Sequence, residues 1–368
     1  MNSVTRVPYS KLAFHWQDDA HLSISAPWIN LEFEIDAKEK PWIKEATDFA
    51  HSDPTHASVQ KLLDQLKKFP IFYTLPRPET AFDGEELETT LFPLDHVDFS
   101  TPKSCINTLR MDFDEALLND LPDTWLWSAD EILEHAHIAG TDLYDPLTVN
   151  TYLPLIRLAH ARNGWEGSGG IYNILEEALE NDEARFFTYM GWTARQSHYL
   201  TSNAENIIEN GIKNFPVLRR DLQEYLADET GHHKFLTEVL DKLEFTVDDF
   251  ELNAAIKFFV ASLCGMADRS ALAYINLIDF SEAYAYEEKD PLSELLKKSS
   301  KPNAGDGYQK HYQINFGHDH DMIAYAFCSK LGPQRKEDCL LAIRICELCS
   351  LLINAMEKNV NQFALQNV

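Results

Sequence analysis

Two segments of the chain carry histidine and carboxylate side chains at helical spacing. Glu229 and His232 are three residues apart. Further along, His311 is followed by Asn315 at i+4 and by His318 at i+7. Because a helix turns by about 100° per residue, each spacing predicts side chains on one helix face. Imidazole and carboxylate together suit iron, manganese or zinc, and two histidines with one carboxylate leave positions open for oxygen or substrate. The two segments therefore predict a metal centre.

A second Glu-x-x-His spacing, Glu134 with His137, offers an alternative. Two such motifs are what a ferritin-like di-iron bundle requires. That bundle would leave His311 and His318 without a role, so it is the weaker hypothesis.

The elements that must position these residues are helical. From Trp125 onwards the apolar spacing is that of helices, and no alternation of strand and helix occurs, which excludes a Rossmann fold. The pattern predicts helices at 130–137, 148–162, 171–181, 183–210, 216–243, 248–280, 281–298, 303–331 and 333–363. Residues 125–368 are therefore predicted to form a mainly α domain of the bundle type.

The first part of the chain reads differently. Alternation predicts strands at 22–24 and 29–35, helices follow at 41–51 and 56–68, and residues 71–73 are β-prone. This order predicts a small α+β, winged-helix-like module at 1–80, followed by a linker and irregular segment at 81–124. The order of elements resembles the PqqD-type domains that bind leader peptides by strand addition, which implies a peptide partner. The alternative is an extension that packs on the helical domain or on a second subunit of a homodimer.

Charge limits the classes of partner. The chain has 368 residues, with 32 Lys+Arg against 59 Asp+Glu, a net charge of −27. An acidic surface repels phosphate backbones and anionic lipids, so nucleic-acid and membrane-surface roles are disfavoured. No apolar run approaches the roughly 18 residues that span a bilayer, and six sparse cysteines do not make a disulfide framework. A cytoplasmic location is expected.

The two motifs carry a resemblance to a known family. A Glu-x-x-His helix followed by a helix reading His-x-x-x-Asp-x-x-His is similar to the haem-oxygenase-like di-iron oxidases, relatives of TenA and PqqC. The resemblance covers about residues 145–335. It implies a haem-oxygenase-like helical bundle that binds one or two iron ions and activates O2.

The resemblance also implies a ligand set. The first iron site would take Glu229, His232 and His311. The second would take His318 together with Asp279 or Glu282, from the segment 271–282 that precedes the His-rich helix.

The chain departs from the family pattern in two places. Asn315 stands where the family has aspartate, and Asp321 could replace it from the next turn. The preceding helix has no acid between Glu183 and Glu205, where Tyr189, Gln196 or His198 lies near the expected position. The second site is therefore expected to be weakened.

Two further histidines, His233 and His320, adjoin the predicted ligands in sequence. Their spacing places them off the metal face, so we expect them to be solvated or to hydrogen-bond to a ligand.

The expected function is that of an iron-dependent, oxygen-activating oxidoreductase. Its substrate would be small and mostly apolar or amino-acid-like, held in a pocket from which aromatic side chains exclude water. The pocket residues expected are Phe186, Tyr189, Trp192, Tyr199 and Tyr284. The alternatives are a metal-free enzyme of the TenA or PqqC type and a non-catalytic peptide-binding protein.

Overall fold

A computed structural model describes residues 4–8, 13–18, 20–26, 29–36, 38–41, 72–76, 129–153, 170–282, 289–318, 320–358 and 360. Several sequence predictions lie outside these residues. They are the helix at 56–68, all but the first residue of the helix at 41–51, the segment 81–124, residues 154–162 of the helix at 148–162, and residues 283–288 of the helix at 281–298, which include the pocket residue Tyr284.

The N-terminal strands form two antiparallel sheets. Strands β2 (Ala13–Trp16), β3 (His21–Ala26) and β4 (Ile29–Glu34) make a three-stranded meander in the order β2-β3-β4, with Leu22 opposite Phe33. Strand β1 (Val4–Pro8) pairs with β5 (Phe72–Pro76). The strands expected around 22–24, 29–35 and 71–73 are confirmed. The winged-helix-like arrangement, the domain boundaries and the peptide partner stay predictions.

The rest of the described chain is helical, which confirms the mainly α fold class. The labelled helices are α1 (Ala129–Ala136), α2 (Gly170–Asn181), α3 (Glu183–Asn214), α4 (Arg219–Glu229), α5 (His233–Leu243), α6 (Ala254–Arg269), α7 (Ala271–Glu282), α8 (Pro291–Lys297), α9 (Gly305–Gly317), α10 (Ile323–Cys328) and α11 (Lys336–Lys358). Residues 146–153 are also helical. No helix among the described residues is both long and apolar enough to span a bilayer.

Three predicted helices are each interrupted. The helix expected at 216–243 ends at Glu229 and resumes at His233, because Gly231 has a φ of 85°, a left-handed conformation that glycine adopts without strain. The helix expected at 248–280 is divided at Ser270, whose backbone is extended. The helix expected at 303–331 ends at Gly317. Apolar periodicity continues across these interruptions, so it did not reveal them.

The core is arranged around α3 and α7. The 32-residue α3 packs against α2, α4, α5 and α6, and α7 packs against α6, α10 and α11. Helix α7 is buried along nearly its whole length, as expected for a helix that is apolar on every side. Its two acidic residues, Asp279 and Glu282, are therefore carried into the interior. A buried carboxylate needs a compensating partner. For Glu282, side chains of α4, α9 and the segment after α9 are these partners.

Candidate metal centre

Glu229 and His232 flank a tight turn. Glu229 is the last residue of α4, and His232 immediately precedes α5. The backbone N–H of Gly231, between them, donates to a carboxylate oxygen of Glu205 on α3 at 3.1 Å. Both side chains are buried, and Nδ1 of His232 lies 3.1 Å from Oε2 of Glu229. The prediction of one continuous helix was wrong here, yet the two side chains do meet, because the turn directs both inward.

The second part of the site joins α7 to the segment after α9. Nδ1 of His320 lies 3.1 Å from Oε2 of Glu282 and 3.5 Å from Oε1 of Glu229. Glu229, Glu282 and His320 each contribute one ligand atom to a group in which all atoms lie within 4.8 Å of one another. All three residues are buried. Two carboxylates and one imidazole at this spacing could hold one divalent ion.

Glu229 belongs to both parts of the site. Its Oε1 faces His320 and its Oε2 faces His232. A carboxylate whose two oxygens face two different imidazoles has the disposition of a ligand shared between two metal ions. The site therefore has two halves, one with Glu282 and His320 and the other with His232.

His311 completes the second half. It lies on α9, and its ring centroid is 4.9 Å from that of His232. Helices α5 and α9 approach closely at Gly307, one turn before His311, where a Cβ atom would collide with the backbone carbonyl of Phe235 and lie 2.7 Å from Val239. Glycine at this position is therefore what allows the two histidines to meet.

Burial and neighbouring charges shift the pKa values of four groups at the centre. Burial raises the pKa of Glu229, and the charge of Glu282 adds to this. Burial would also raise the pKa of Glu282, but the hydrogen bond and charge of His320 outweigh it, so this pKa is lowered. The same contact raises the pKa of His320 despite burial. Burial lowers the pKa of His311 to about 4, which keeps its imidazole neutral and able to bind a metal.

Several buried polar atoms of the site have no hydrogen-bond partner among the described residues. They are Oε1 of Glu229, Nε2 of His232 and Nε2 of His320. An unsatisfied buried polar atom costs on the order of 1–3 kcal/mol. A bound cation would satisfy the carboxylate oxygen and a lone pair on the imidazole, so the donor set fits a metal.

Two neighbours hold Glu282 in place. The phenol of Tyr225 donates to Oε1 at 3.2 Å, and the amide Nδ2 of Asn315 is 3.3 Å from Oε2. Asn315 therefore contacts a candidate ligand instead of supplying an anionic one. The side chain of Asp321, proposed as its replacement, lies outside the described residues.

The prediction that His318 shares a face with His311 was wrong. Helix α9 ends at Gly317, so His318 caps it with half of its side chain exposed, and its Nδ1 lies 2.9 Å from Asp228. The 3₁₀ turn His320–Met322 then brings His320 inward. His320, which we expected to lie off the metal face, is 1% exposed and belongs to the group. The signal that could have identified it is Gly317, a residue that commonly follows or ends a helix.

The sequence predicts either Asp279 or Glu282 as a ligand of the second site. The structure brings Glu282 into the group. Asp279 is buried one turn earlier on α7 and is not a member of it. Burial and then the charge of Asp279 raise the pKa of the Cys328 thiol, which places this carboxylate beside α10.

His198 and His233 contact each other and not the group. Their ring centroids are 5.9 Å apart in an edge-to-face arrangement. Burial, followed by the charges of Arg195 and His233, lowers the pKa of His198. Neither residue replaces the missing acid of α3.

Glu134 and His137 lie away from the centre, contrary to the ferritin-like alternative. Both are exposed, α1 ends at Ala136, and Nε2 of His137 contacts the carbonyl oxygen of Thr141 at 2.7 Å. The second Glu-x-x-His is therefore a surface feature.

A cavity of about 540 Å³ opens beside the centre. Glu229, Glu282 and His311 lie in its wall, and most of the remaining wall is apolar or aromatic. Of the aromatic residues expected to line a pocket, Trp192 does so. Phe186 and Tyr189 are instead buried in the core, and Tyr199 packs against that core without lining the cavity.

Fold and site together define a mainly helical protein with a buried carboxylate and histidine centre next to an apolar cavity. No protein-family model, curated protein or solved structure matches the chain.

Proposed function

We propose that this protein is an oxygen-activating, iron-dependent oxidoreductase whose helical domain has the haem-oxygenase-like fold. The observation that carries the proposal is the position of Glu229, whose two carboxylate oxygens face His320 and His232. The resemblance of the two sequence motifs to di-iron oxidases supports the same reading.

The residues that would hold the metals fall into two sets. One ion would be held by Glu282, His320 and Oε1 of Glu229, and the other by His232, His311 and Oε2 of Glu229. Mixed carboxylate and imidazole ligation without thiolate suits redox-active iron, and three protein ligands leave coordination positions open. When bound, ferrous ions would supply the electrons that reduce O2.

The remaining residues of the site have roles in positioning and in excluding water. Tyr225 and Asn315 fix the orientation of Glu282 through their hydrogen bonds. Such contacts to a ligand keep it aligned before the metal arrives. The apolar wall, including Trp192 and Phe259, favours an apolar substrate body and keeps bulk water from the centre.

Metal content tests the proposal most directly. The full chain is purified without chelator and reconstituted anaerobically with ferrous iron, and bound iron is then measured. We expect close to two equivalents per chain, and O2 consumption that depends on the bound iron. Glu229→Gln keeps the shape of the side chain but removes the shared anionic ligand, so it should lose most of the bound iron.

The other Glu-x-x-His motif provides a matched control. Glu134→Gln is the same substitution at an exposed site and should bind iron as the wild type does. Iron content near zero in the wild type, or equal content in the wild type and Glu229→Gln, would contradict the proposal. The first of these results would favour the metal-free enzyme of the TenA or PqqC type.

A further inference from the structure

A third carboxylate, Asp290, lies in the wall of the same cavity. Asp290 is 8% exposed and directly precedes α8. One of its oxygens, Oδ1, accepts the backbone N–H of Ser293 at 2.6 Å. Among the described residues no lysine or arginine forms an ion pair with Asp290; the charge of Lys297 acts on it, but Lys297 pairs with Glu294. The carboxylate therefore has only backbone N–H donors as direct partners.

Tyr308 brings an unpartnered hydroxyl group to this part of the wall. Its side chain is 5% exposed, its phenol oxygen has no hydrogen-bond partner among the described residues, and it lines the cavity. The backbone N–H of Asp290 donates to the side-chain amide oxygen of Gln309 at 3.2 Å, which places Asp290 beside the residue that follows Tyr308 on α9. A buried phenol usually finds a hydrogen-bond partner, and a bound molecule could be that partner.

The charge of the cavity indicates what kind of molecule this would be. The described residues of the wall include the carboxylates of Glu229, Glu282 and Asp290, and no lysine or arginine. Two of these carboxylates are taken up by the proposed metal centre, and Asp290 has no ion-pair partner within the part of the chain that the structure describes. An anionic group would be repelled here, whereas a cation would compensate the buried charge.

The two polar regions of the cavity are close enough for one small molecule to reach both. Tyr308 and His311 are one turn apart on α9, and both line the cavity. Asn315 follows one turn later, so at 1.5 Å per residue the axial distance from Tyr308 is about 5 Å to His311 and about 10 Å to Asn315. A molecule with an apolar body of this length would span the distance.

We propose that the substrate is an amine, whose protonated amino group binds Asp290 and Tyr308 while its apolar body extends towards Glu229 and His311. That the apolar body ends beside a metal centre at Glu229 and His311 rests on the proposed function. The binding of the amino group at Asp290 and Tyr308 does not require a metal. Asp290 supplies the counter-charge, and Tyr308 supplies a hydroxyl oxygen that accepts from the ammonium group.

The test compares three probes of equal chain length: hexylamine, hexan-1-ol and hexanoate. Their binding to the chelator-treated full chain is measured by titration calorimetry at about pH 8, where the amine and Asp290 are both charged. We expect hexylamine to bind about tenfold more tightly than hexan-1-ol, the size of one charge-assisted hydrogen bond, and hexanoate to bind most weakly. Asp290→Asn should lower hexylamine affinity about tenfold and leave hexan-1-ol unchanged, because asparagine can still accept the Ser293 N–H.

Glu229→Gln distinguishes the two acidic regions of the cavity. A greater loss of hexylamine affinity in Asp290→Asn than in Glu229→Gln is expected if the ammonium group binds at Asp290, and Tyr308→Phe should weaken hexylamine binding without affecting hexan-1-ol. Equal binding of the three probes, or loss of hexylamine binding in Glu229→Gln and not in Asp290→Asn, would overturn the proposal. Iron content is measured separately, so absence of iron would count against the proposed function, and absence of amine selectivity against this inference.

Discussion

Nδ1 of His320 lies 3.1 Å from Oε2 of Glu282, and both side chains are buried although 38 residues separate them in the chain. The contact joins the central helix α7 to the short 3₁₀ turn that follows α9. It places an imidazole nitrogen beside a carboxylate that is otherwise enclosed by the core. The neighbouring His318, two residues away, remains on the surface.

His320→Ala and His318→Ala should therefore have unequal effects. His320→Ala removes an imidazole from the buried group. We expect iron affinity in that half of the site to fall on the order of 100-fold, because residues that only hydrogen-bond to a metal ligand already contribute about 10- to 100-fold. His318→Ala removes a half-exposed side chain and should change affinity less than threefold. Anaerobic iron titration measures both. Equal losses would mean that His318 moves inward when metal binds.

Gly307→Ala should separate the helices that carry His232 and His311. A methyl group there would collide with the carbonyl of Phe235, and a rigid backbone cannot yield as a flexible side chain can. We expect a loss of about 2 kcal/mol or more in the free energy of unfolding, together with weaker iron binding. Denaturant unfolding and iron titration measure the two effects.

Gly317→Ala, at the other end of the same helix, is the control. Nothing lies within 4 Å of a Cβ built there, so its unfolding free energy should stay within about 0.5 kcal/mol of wild type. A similar loss in both variants would show that the close approach at Gly307 is not the cause.

Asp290→Asn should change how stability depends on pH. Burial raises the pKa of Asp290 from 3.8 to about 6 in the folded chain. Between these values the unfolded chain has lost this proton and the folded chain has kept it, so this group makes wild-type stability fall as the pH rises from 4 to 6. Asparagine does not titrate, so the unfolding free energy of the variant relative to wild type should rise on the order of 2 kcal/mol from pH 4 to 7. A difference independent of pH would contradict this account.

Gln196→Leu tests a residue that lies in the cavity wall but outside the candidate centre. The Gln196 amide donates to the carbonyl of Glu251 at 3.0 Å and accepts from the N–H of Asn253 at 2.9 Å, which fixes the approach to α6. Losing both bonds should cost about 2 kcal/mol of unfolding free energy, with iron stoichiometry unchanged. Gln313→Leu, at an exposed position, should cost less than about 0.5 kcal/mol.

The sequence by itself determined the local features. Residue types and spacing predicted a mainly helical chain, the strands near 22–24 and 29–35, and the pairing of Glu229 with His232. These depend on contacts between residues close in the chain, where helical and strand geometry relate spacing to direction. The same geometry failed for His318, because it holds only while the helix continues, and α9 ends at Gly317.

The tertiary structure decided which distant side chains meet. The choice of Glu282 over Asp279, the inward position of His320 and the position of Glu229 between two imidazoles all depend on how α4, α7 and α9 pack against one another. The cavity wall likewise combines Asp290 with residues of eight helices other than α8, which no spacing in the sequence relates to it. Side-chain direction within a helix is a local property, whereas the distance between two helices is set by the residues that pack between them, such as Gly307.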